Sequence, residues 1–379
     1  MPGIYLHIPF CMAKCRYCDF VSFADHAEMD AYLDALEKEM TLDREALPAL
    51  VYDTVFLGGG TPSVLPEGAI SRILETLTRR LRVTPDAEIT IEANPGTLAP
   101  DKLTEYKRAG VNRLSLGLQS ADDHILKGLG RIHTYAQFLE SFHLARETGF
   151  GNVNADIMYG LPGQTAEDHL DTIEKLAALD IEHVSAYSLI LEENTPLYTD
   201  VTGGAESLPG EDAAYEMHRS GIRLLSERGY RRYEISNYAK PGYESRHNLN
   251  YWNNGEYLGL GLNAHSAMRV TGKWLRWANT AKLSDYIQAC ARGERPLEAK
   301  EQEIPMAEEM FETVMLGLRK IEGVSDAAFQ ARFGRRMGKV FQEAIARLEK
   351  RGWLVAEDGF YRLTDEGLDF QNQALLEMM

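Results

Sequence analysis

Residues 5–20 read Tyr5-Leu-His-Ile-Pro-Phe-Cys-Met-Ala-Lys-Cys-Arg-Tyr-Cys-Asp-Phe20: an apolar strand pattern, then three cysteines, Cys11, Cys15 and Cys18, within eight residues. Thiolates are soft ligands, and three so close together cannot form an ordinary pair of structural disulfides, so a metal centre is the natural occupant. Zinc is the competing reading, but a structural zinc site wants four protein ligands, usually one Cys-x-x-Cys with a second distant pair. The remaining cysteine, Cys290, lies far along a helical stretch and reads as a small buried apolar residue. An iron–sulfur cluster on three cysteines leaves one iron without a protein ligand, a defect in a pure electron carrier but an opening for a small molecule.

Outward from this clasp, short aliphatic runs alternate with amphipathic helical windows. Tyr5 to Phe10 is a first strand; Met29, Leu33, Leu36 and Met40 recur at helical spacing; Thr54-Val-Phe-Leu57 is a second strand ending in glycines. Ile70, Ile73, Leu74 and Leu77 mark a helix, Glu88 to Glu92 a strand, Leu103 and Tyr106 a helix stopped at Gly110, and Asn112 to Leu118 a strand. Phe138, Phe142 and Ala145 mark the next helix, ended by Gly149, and Asn152 to Ile157 the next strand. Thr165 caps a helix carrying Leu170, Ile173 and Leu176, and His183 to Leu189 is a sixth strand. Six alternations in about 200 residues imply an α/β fold, a parallel sheet with helices outside, and an incomplete barrel best fits the strand number. Function in such folds sits on the loops after the strand C-termini.

Polar residues stand at those positions. Gly58-Gly-Gly-Thr-Pro62 follows the second strand and lets backbone N–H groups approach a ligand, although a plain tight turn explains the glycines as well. Glu92 ends the third strand, Gln119 the fourth, and Asp156 lies near the end of the fifth; Arg131 supplies a cation beyond the fourth. Singly, each could be a cap, a surface charge or a satisfied core group.

The spacing Cys-x3-Cys-x2-Cys resembles that of the radical S-adenosylmethionine (SAM) superfamily. Gly-Gly-Gly-Thr-Pro, Glu-Ala-Asn-Pro, Gly-Leu-Gln-Ser and Asp-Ile-Met-Tyr-Gly-Leu-Pro-Gly-Gln, at 58–62, 92–95, 117–120 and 156–164, resemble its coproporphyrinogen-oxidase-like branch along nearly the whole chain. The resemblance implies a (β/α)6 partial barrel, a [4Fe–4S] cluster on Cys11, Cys15 and Cys18 with one open iron, and SAM chelated there and cleaved to a 5′-deoxyadenosyl radical. It implies further that Tyr5, Tyr17, Gly59, Gly60, Thr61, Glu92, Gln119, Arg131 and Asp156 line the SAM pocket. An arginine suits the SAM carboxylate, and acidic or amide groups suit the ribose hydroxyls and the amino group.

Two functions compete within this branch. Oxygen-independent coproporphyrinogen III dehydrogenases, which decarboxylate two propionates to vinyl groups, carry a further cysteine two residues after the third and a long segment before the first strand. Here that position is Phe20, and four residues precede Tyr5. Both departures resemble the sister group of heme chaperones, which implies heme as cargo and acceptor hemoproteins, respiratory enzymes at the membrane, as partners. His247, Asn248, Tyr251 and Trp252 form a His-Asn-x-x-Tyr-Trp arrangement that resembles the heme-binding motif of that group, with an imidazole for iron and aromatics for a porphyrin face. Without the resemblance, a lone histidine in a polar aromatic loop reads as a hydrogen-bonded structural residue. His265, after a glycine-rich turn, is the rival ligand. A SAM-free electron-transfer protein fits neither the open iron nor the polar set.

The rest of the chain bounds these readings. Residues 294–305 are charged and bounded by proline, dividing 1–293, the core and its extension, from 306–379. There, helical windows with Met310, Val314 and Leu318, then Val340, Ile345 and Leu348, precede two short strands around Glu357-Asp-Gly359, a winged-helix-like pattern. A formal charge of −17 argues against a nucleic-acid partner, and the basic run from Arg332 to Lys339 reads as a solvated helix face. With no leader and no apolar run near the ~20 residues of a membrane span, a cytoplasmic protein is expected, with at most peripheral membrane contact. That reducing compartment also suits free thiols.

Overall fold

The chain opens with β1 (Gly3–Ile8), α1 (Met29–Ala46), β2 (Val51–Gly59), α2 (Ala69–Arg80), β3 (Arg82–Ala93) and α3 (Pro100–Arg108). It continues with β4 (Arg113–Gln119), α4 (Asp123–Gly128), α5 (Tyr135–Glu147), β5 (Val153–Tyr159), α6 (Ala166–Ala178) and β6 (His183–Ser188). This is a computed structural model, and it describes residues 2–379. β1 to β6 pair in sequence order, all parallel.

Parallel strands covered by helices usually read as continuous apolar runs, yet these alternate, because only one face meets helices. On β4, Leu114, Leu116 and Leu118 join the apolar core under the helices, whereas Ser115, Gly117 and Gln119 face inward to a cavity. β3 divides likewise into Ile89, Ile91 and Ala93 outside and Glu88, Thr90 and Glu92 inside, and β5 into Val153, Ala155 and Ile157 outside and Asn154 and Asp156 inside. The interior of the arc is therefore polar, and the apolar core lies between sheet and helices.

The arc does not close on itself. After α7 (Pro196–Thr202) and α8 (Glu211–Glu227), β7 (Arg231–Arg232) and β8 (Asn237–Ala239) add antiparallel strands beyond β6. The chain then crosses by α9 (Arg246–Trp252) to β9 (Tyr257–Leu260), which pairs parallel with β1 on the other flank. β10 (His265–Val270), β11 (Lys273–Ala278), α10 (Leu283–Ala291) and β12 (Gln302–Glu303) follow, with β10, β11 and β12 extending that flank. Residues 246–252, read above as a loop, are thus a helix: Ser245 Oγ accepts from the Asn248 amide, and the Glu88 carboxylate accepts from the amides of Arg246 and His247, both at 3.1 Å. A tertiary cap from β3 builds a helix that local propensity does not announce.

The charged segment 294–305 is packed: Arg295 donates to Asp43 at 2.6 Å, and β12 pairs with β11. Beyond it come α11 (Met306–Gly317), β13 (Val324–Ser325), α12 (Asp326–Phe333), α13 (Met337–Val340), α14 (Gln342–Lys350), β14 (Leu354–Glu357) and β15 (Phe360–Leu363). They enclose a second apolar cluster around Val314, Phe329, Leu348 and Leu354. Val340 and Ile345 belong to separate helices, because Phe341 leaves helical geometry between them at φ −110° and ψ 28°. Arg332 is no solvated charge: it donates to Glu309 at 2.8 Å and to the Asn254 carbonyl at 2.7 Å. Among the described residues, no helix is long and apolar enough to cross a membrane.

Candidate functional site

The cysteine loop leaves the C-terminal end of β1 and is pinned by its own backbone. Cys11 N–H donates to the Phe23 carbonyl at 2.9 Å, Phe23 N–H to Pro9 at 2.7 Å, and Arg16 N–H to Leu129 at 3.0 Å. Arg16 anchors the far side through Asp200 at 2.6 Å. All three thiols are free, and all three line one cavity of about 340 Å³, within the usual size of small-molecule sites. Burial raises the Cys18 thiol above its ordinary range.

The second strand explains its glycines. Gly59 adopts φ +107°, a left-handed conformation that side chains disfavour, and a Cβ on Gly60 would stand 2.7 Å from the Phe10 carbonyl oxygen. The chain can therefore lie directly against the cysteine loop, where Gly60 N–H donates to Ile8 and Thr61 N–H to Phe10, both at 2.8 Å. Thr61 Oγ1 then reaches Cys11 Sγ at 3.5 Å.

Two carboxylates face the cavity from β3 and β5. Glu92 accepts from Gly59 N–H at 3.1 Å; burial, with Asp156 nearby, pushes its carboxyl up to about 8. Asp156 accepts from Ser115 at 2.9 Å and Asn154 at 2.8 Å, and burial raises it too. Gln119 ends β4 where its register with β5 slips, and its φ of +69° is rare for a residue with a side chain. Such an outlier at a cavity wall is the strain that functional sites hold.

With Lys14 as a second cation in the lining, Arg131 is the buried cation of this mouth. It donates to the Gly117 carbonyl at 2.6 Å, to Asn94 Oδ1 at 2.7 Å and to Cys15 Sγ at 3.5 Å, while its buried Nε has no partner. A guanidinium that lines one cavity with three thiols and two carboxyls fits a cluster together with a zwitterionic ligand. No three His, Cys, Asp or Glu side chains among the described residues converge tightly enough for a single metal ion. A cluster does not need that convergence, since each thiolate takes a different iron. Cys11, Cys15 and Cys18 would hold it, and when bound it supplies one-electron chemistry at an iron open to a ligand.

Tyr17, Gly59, Gly60, Thr61, Glu92, Gln119, Arg131 and Asp156 all line the cavity. Tyr5 does not. Its hydroxyl bonds His7 Nδ1 at 3.1 Å and its ring stacks on Phe56, a layer deeper in the arc. Asn94, Ser115 and Tyr187 line the cavity and were not singled out from the sequence. Alternation along β4 and β6 puts Ser115 on the face of Gln119 and Tyr187 on that of Ser185, a signal that needed the strand ends to be known. Phe20 lines the cavity with its side of the loop exposed.

His247 lies elsewhere. It sits under the N-terminal ends of β1 and β2, the end of the arc opposite the cysteines, and is 1% exposed. Nδ1 bonds Thr54 Oγ1 at 2.8 Å, Nε2 bonds the Tyr251 hydroxyl at 3.0 Å, and the ring stacks on Phe56 with centroids 5.2 Å apart. Burial, with Arg113 nearby, pushes its pKa down to about 3, so the imidazole is neutral. Tyr251 packs edge-on against His247, Trp252 carries Arg319 over its ring, and Asn248 is half-buried on the same helix. His265 is exposed at the start of β10. Because β9 runs parallel to β1, that turn lies at the cysteine end. Cys290 is buried behind α1, remote from the cavity.

The sequence pattern of the Radical SAM superfamily matches residues 5–176, and that of the HemN C-terminal domain matches residues 304–370. The heme chaperone HemW of Bacillus subtilis is 38% identical, covering 97% of this chain and 96% of that protein. HemW of Escherichia coli is 37% identical, covering 99% and 97%. Among solved structures, coproporphyrinogen III oxidase (HemN) from Escherichia coli superposes with a TM-score of 0.84 over all of this chain and 90% of that one; at 24% identity, the likeness is one of fold. Relatives this similar along nearly the full length place the cysteine-lined arc in context: the chain belongs to the HemW family of the radical SAM superfamily.

Proposed function

We propose that the protein is a heme chaperone that holds a [4Fe–4S] cluster on Cys11, Cys15 and Cys18, binds SAM beside it and delivers heme to acceptor hemoproteins. The observation that carries the reading is the mouth itself: three free thiols and no fourth, with Phe20 lining the cavity where coproporphyrinogen dehydrogenases place a further cysteine. The names of the full-length relatives support it. In this reading Arg131 meets the SAM carboxylate, Glu92, Gln119 and Asp156 meet its amino and ribose groups, and Tyr5 supports them from below. Residues 306–379 form the second unit after 294–305. The work is cytoplasmic, with acceptors among respiratory enzymes reached by peripheral membrane contact.

The heme-linked residue is His247. Its neutral imidazole needs no deprotonation to ligate iron, but Nδ1 or Nε2 must first leave Thr54 or Tyr251, so α9 has to move when heme binds. One observation favours a second reading: His265 is exposed and needs no such movement. An anaerobic heme titration of the reconstituted protein, followed at the Soret band, decides between them. Saturation near one heme per chain, lost in His247→Ala and kept in His265→Ala, is expected. The reverse pattern moves the site to His265, and no saturable binding returns coproporphyrinogen decarboxylation to the lead.

A further inference from the structure

Two of the three cysteine sulfurs are joined by a hydrogen-bonded chain of protein groups. Thr61 Oγ1 lies 3.5 Å from Cys11 Sγ, Asn94 Nδ2 lies 3.0 Å from Thr61 Oγ1, Asn94 Oδ1 lies 2.7 Å from an Arg131 nitrogen, and the other terminal nitrogen of Arg131 lies 3.5 Å from Cys15 Sγ. The direction of every bond follows from one end. A guanidinium only donates, so the Asn94 oxygen must face Arg131 and its amide nitrogen must face Thr61. Thr61 therefore accepts from Asn94, and its single hydroxyl proton is left to point at Cys11. Asn94 is itself held by its backbone: its N–H donates to Ser63 Oγ at 3.3 Å and its carbonyl accepts from Thr97 Oγ1 at 2.6 Å. Cys18 receives no donor from this chain of groups.

We propose that Asn94 is a positioning residue that orients one donor onto Cys11 and another onto Cys15, and thereby raises the reduction potential of the cluster those thiolates hold. The proposal rests on the cluster reading above. Donors to cluster sulfurs offset the extra negative charge of the reduced state, and their number and aim are among the levers a protein has on that potential. An aspartate at 94 would keep the bond to Arg131 but draw the threonine proton to itself and away from the sulfur. The amide is the side chain of this size that can serve both arms.

Redox titration monitored by electron paramagnetic resonance tests this on anaerobically reconstituted wild type, Asn94→Ala, Thr61→Val and the double variant. All are expected to hold the same iron. The midpoint shifts to more negative values in each single variant, and the double variant matches Asn94→Ala, because Thr61 acts downstream of Asn94. A wild-type midpoint in Asn94→Ala, or additive shifts in the double variant, overturns the proposal. A second readout needs no cluster: alkylation of the metal-free protein, quantified by mass spectrometry. Cys11 and Cys15 should react more slowly relative to Cys18 in Asn94→Ala than in wild type, and an unchanged ratio overturns the relay. Should wild type take up no iron, the cluster reading fails and the alkylation ratio alone judges Asn94.

Discussion

The two ends of the arc use the same residue types to opposite effect. At the cysteine end, Arg131 keeps an unpartnered Nε, Glu92 spends one oxygen on Gly59 and turns toward a cavity, and Gln119 sits in a strained conformation. At the other end, His247 has a partner on each nitrogen, and Glu88 receives Ser245 and two helix amides. Buried polar groups demand partners. His247 is held by partners that a ligand would have to displace, whereas the groups of the cysteine end already face a cavity.

The largest effect that could break this contrast concerns the thiols. Cys15→Ala should abolish iron uptake on anaerobic reconstitution, whereas Cys290→Ala should leave iron content unchanged, as measured by iron assay and visible absorption. Retained iron in Cys15→Ala would remove the reason for treating the cysteine end as a ligand site.

A smaller effect tests the opposite end. Glu88→Ala strips acceptors from the buried amides at the start of α9 and should lower the unfolding free energy by about 1–3 kcal/mol, read by denaturant titration, with iron content unchanged. Lost iron and unchanged stability would mean that Glu88 serves the cysteine end rather than the start of α9.

The third effect is a slope with pH rather than a fixed loss. The Glu92 carboxyl has its pKa raised from 4.5 to about 8 in the folded protein, so between those values the folded state binds more protons than the unfolded one and stability falls as pH rises. Glu92→Gln should remove at most about 1.4 kcal/mol per pH unit of that decline in the metal-free protein, gaining on wild type from pH 5 to pH 8. Parallel stability profiles would show that the Glu92 side chain is already solvated.

The first half of the chain was legible because its strands and helices repeat two clear periods with glycine stops. Ile70, Ile73, Leu74 and Leu77 are buried on α2, and Thr165 caps α6 with a reciprocal bond from Asp168. The cysteine loop and most of the strand-end residues were legible for the same reason, since parity and strand direction send them to one mouth. Tyr5 shows the limit: depth along a strand depends on where the cavity floor lies, and no local pattern encodes it. The stretch from 190 to 305 was largely illegible, because β7 and β8 are two and three residues long and owe their existence to the edge of β6. α9 was missed for a related reason. Its Arg-His-Asn-Leu-Asn-Tyr-Trp has little helix propensity, and the carboxylate that caps it comes from β3.

An arc held together by a crossing helix differs from a closed ring in one geometric respect. A ring of strands has its circumference set by strand number and stagger. An arc has no fixed circumference: its curvature depends on what is packed inside it, here His247 of α9 against Thr54 and Phe56 of β2. Changing the size of those few side chains would re-tension the whole sheet and alter the spacing of the strand ends at the far mouth, without touching any residue that lines it.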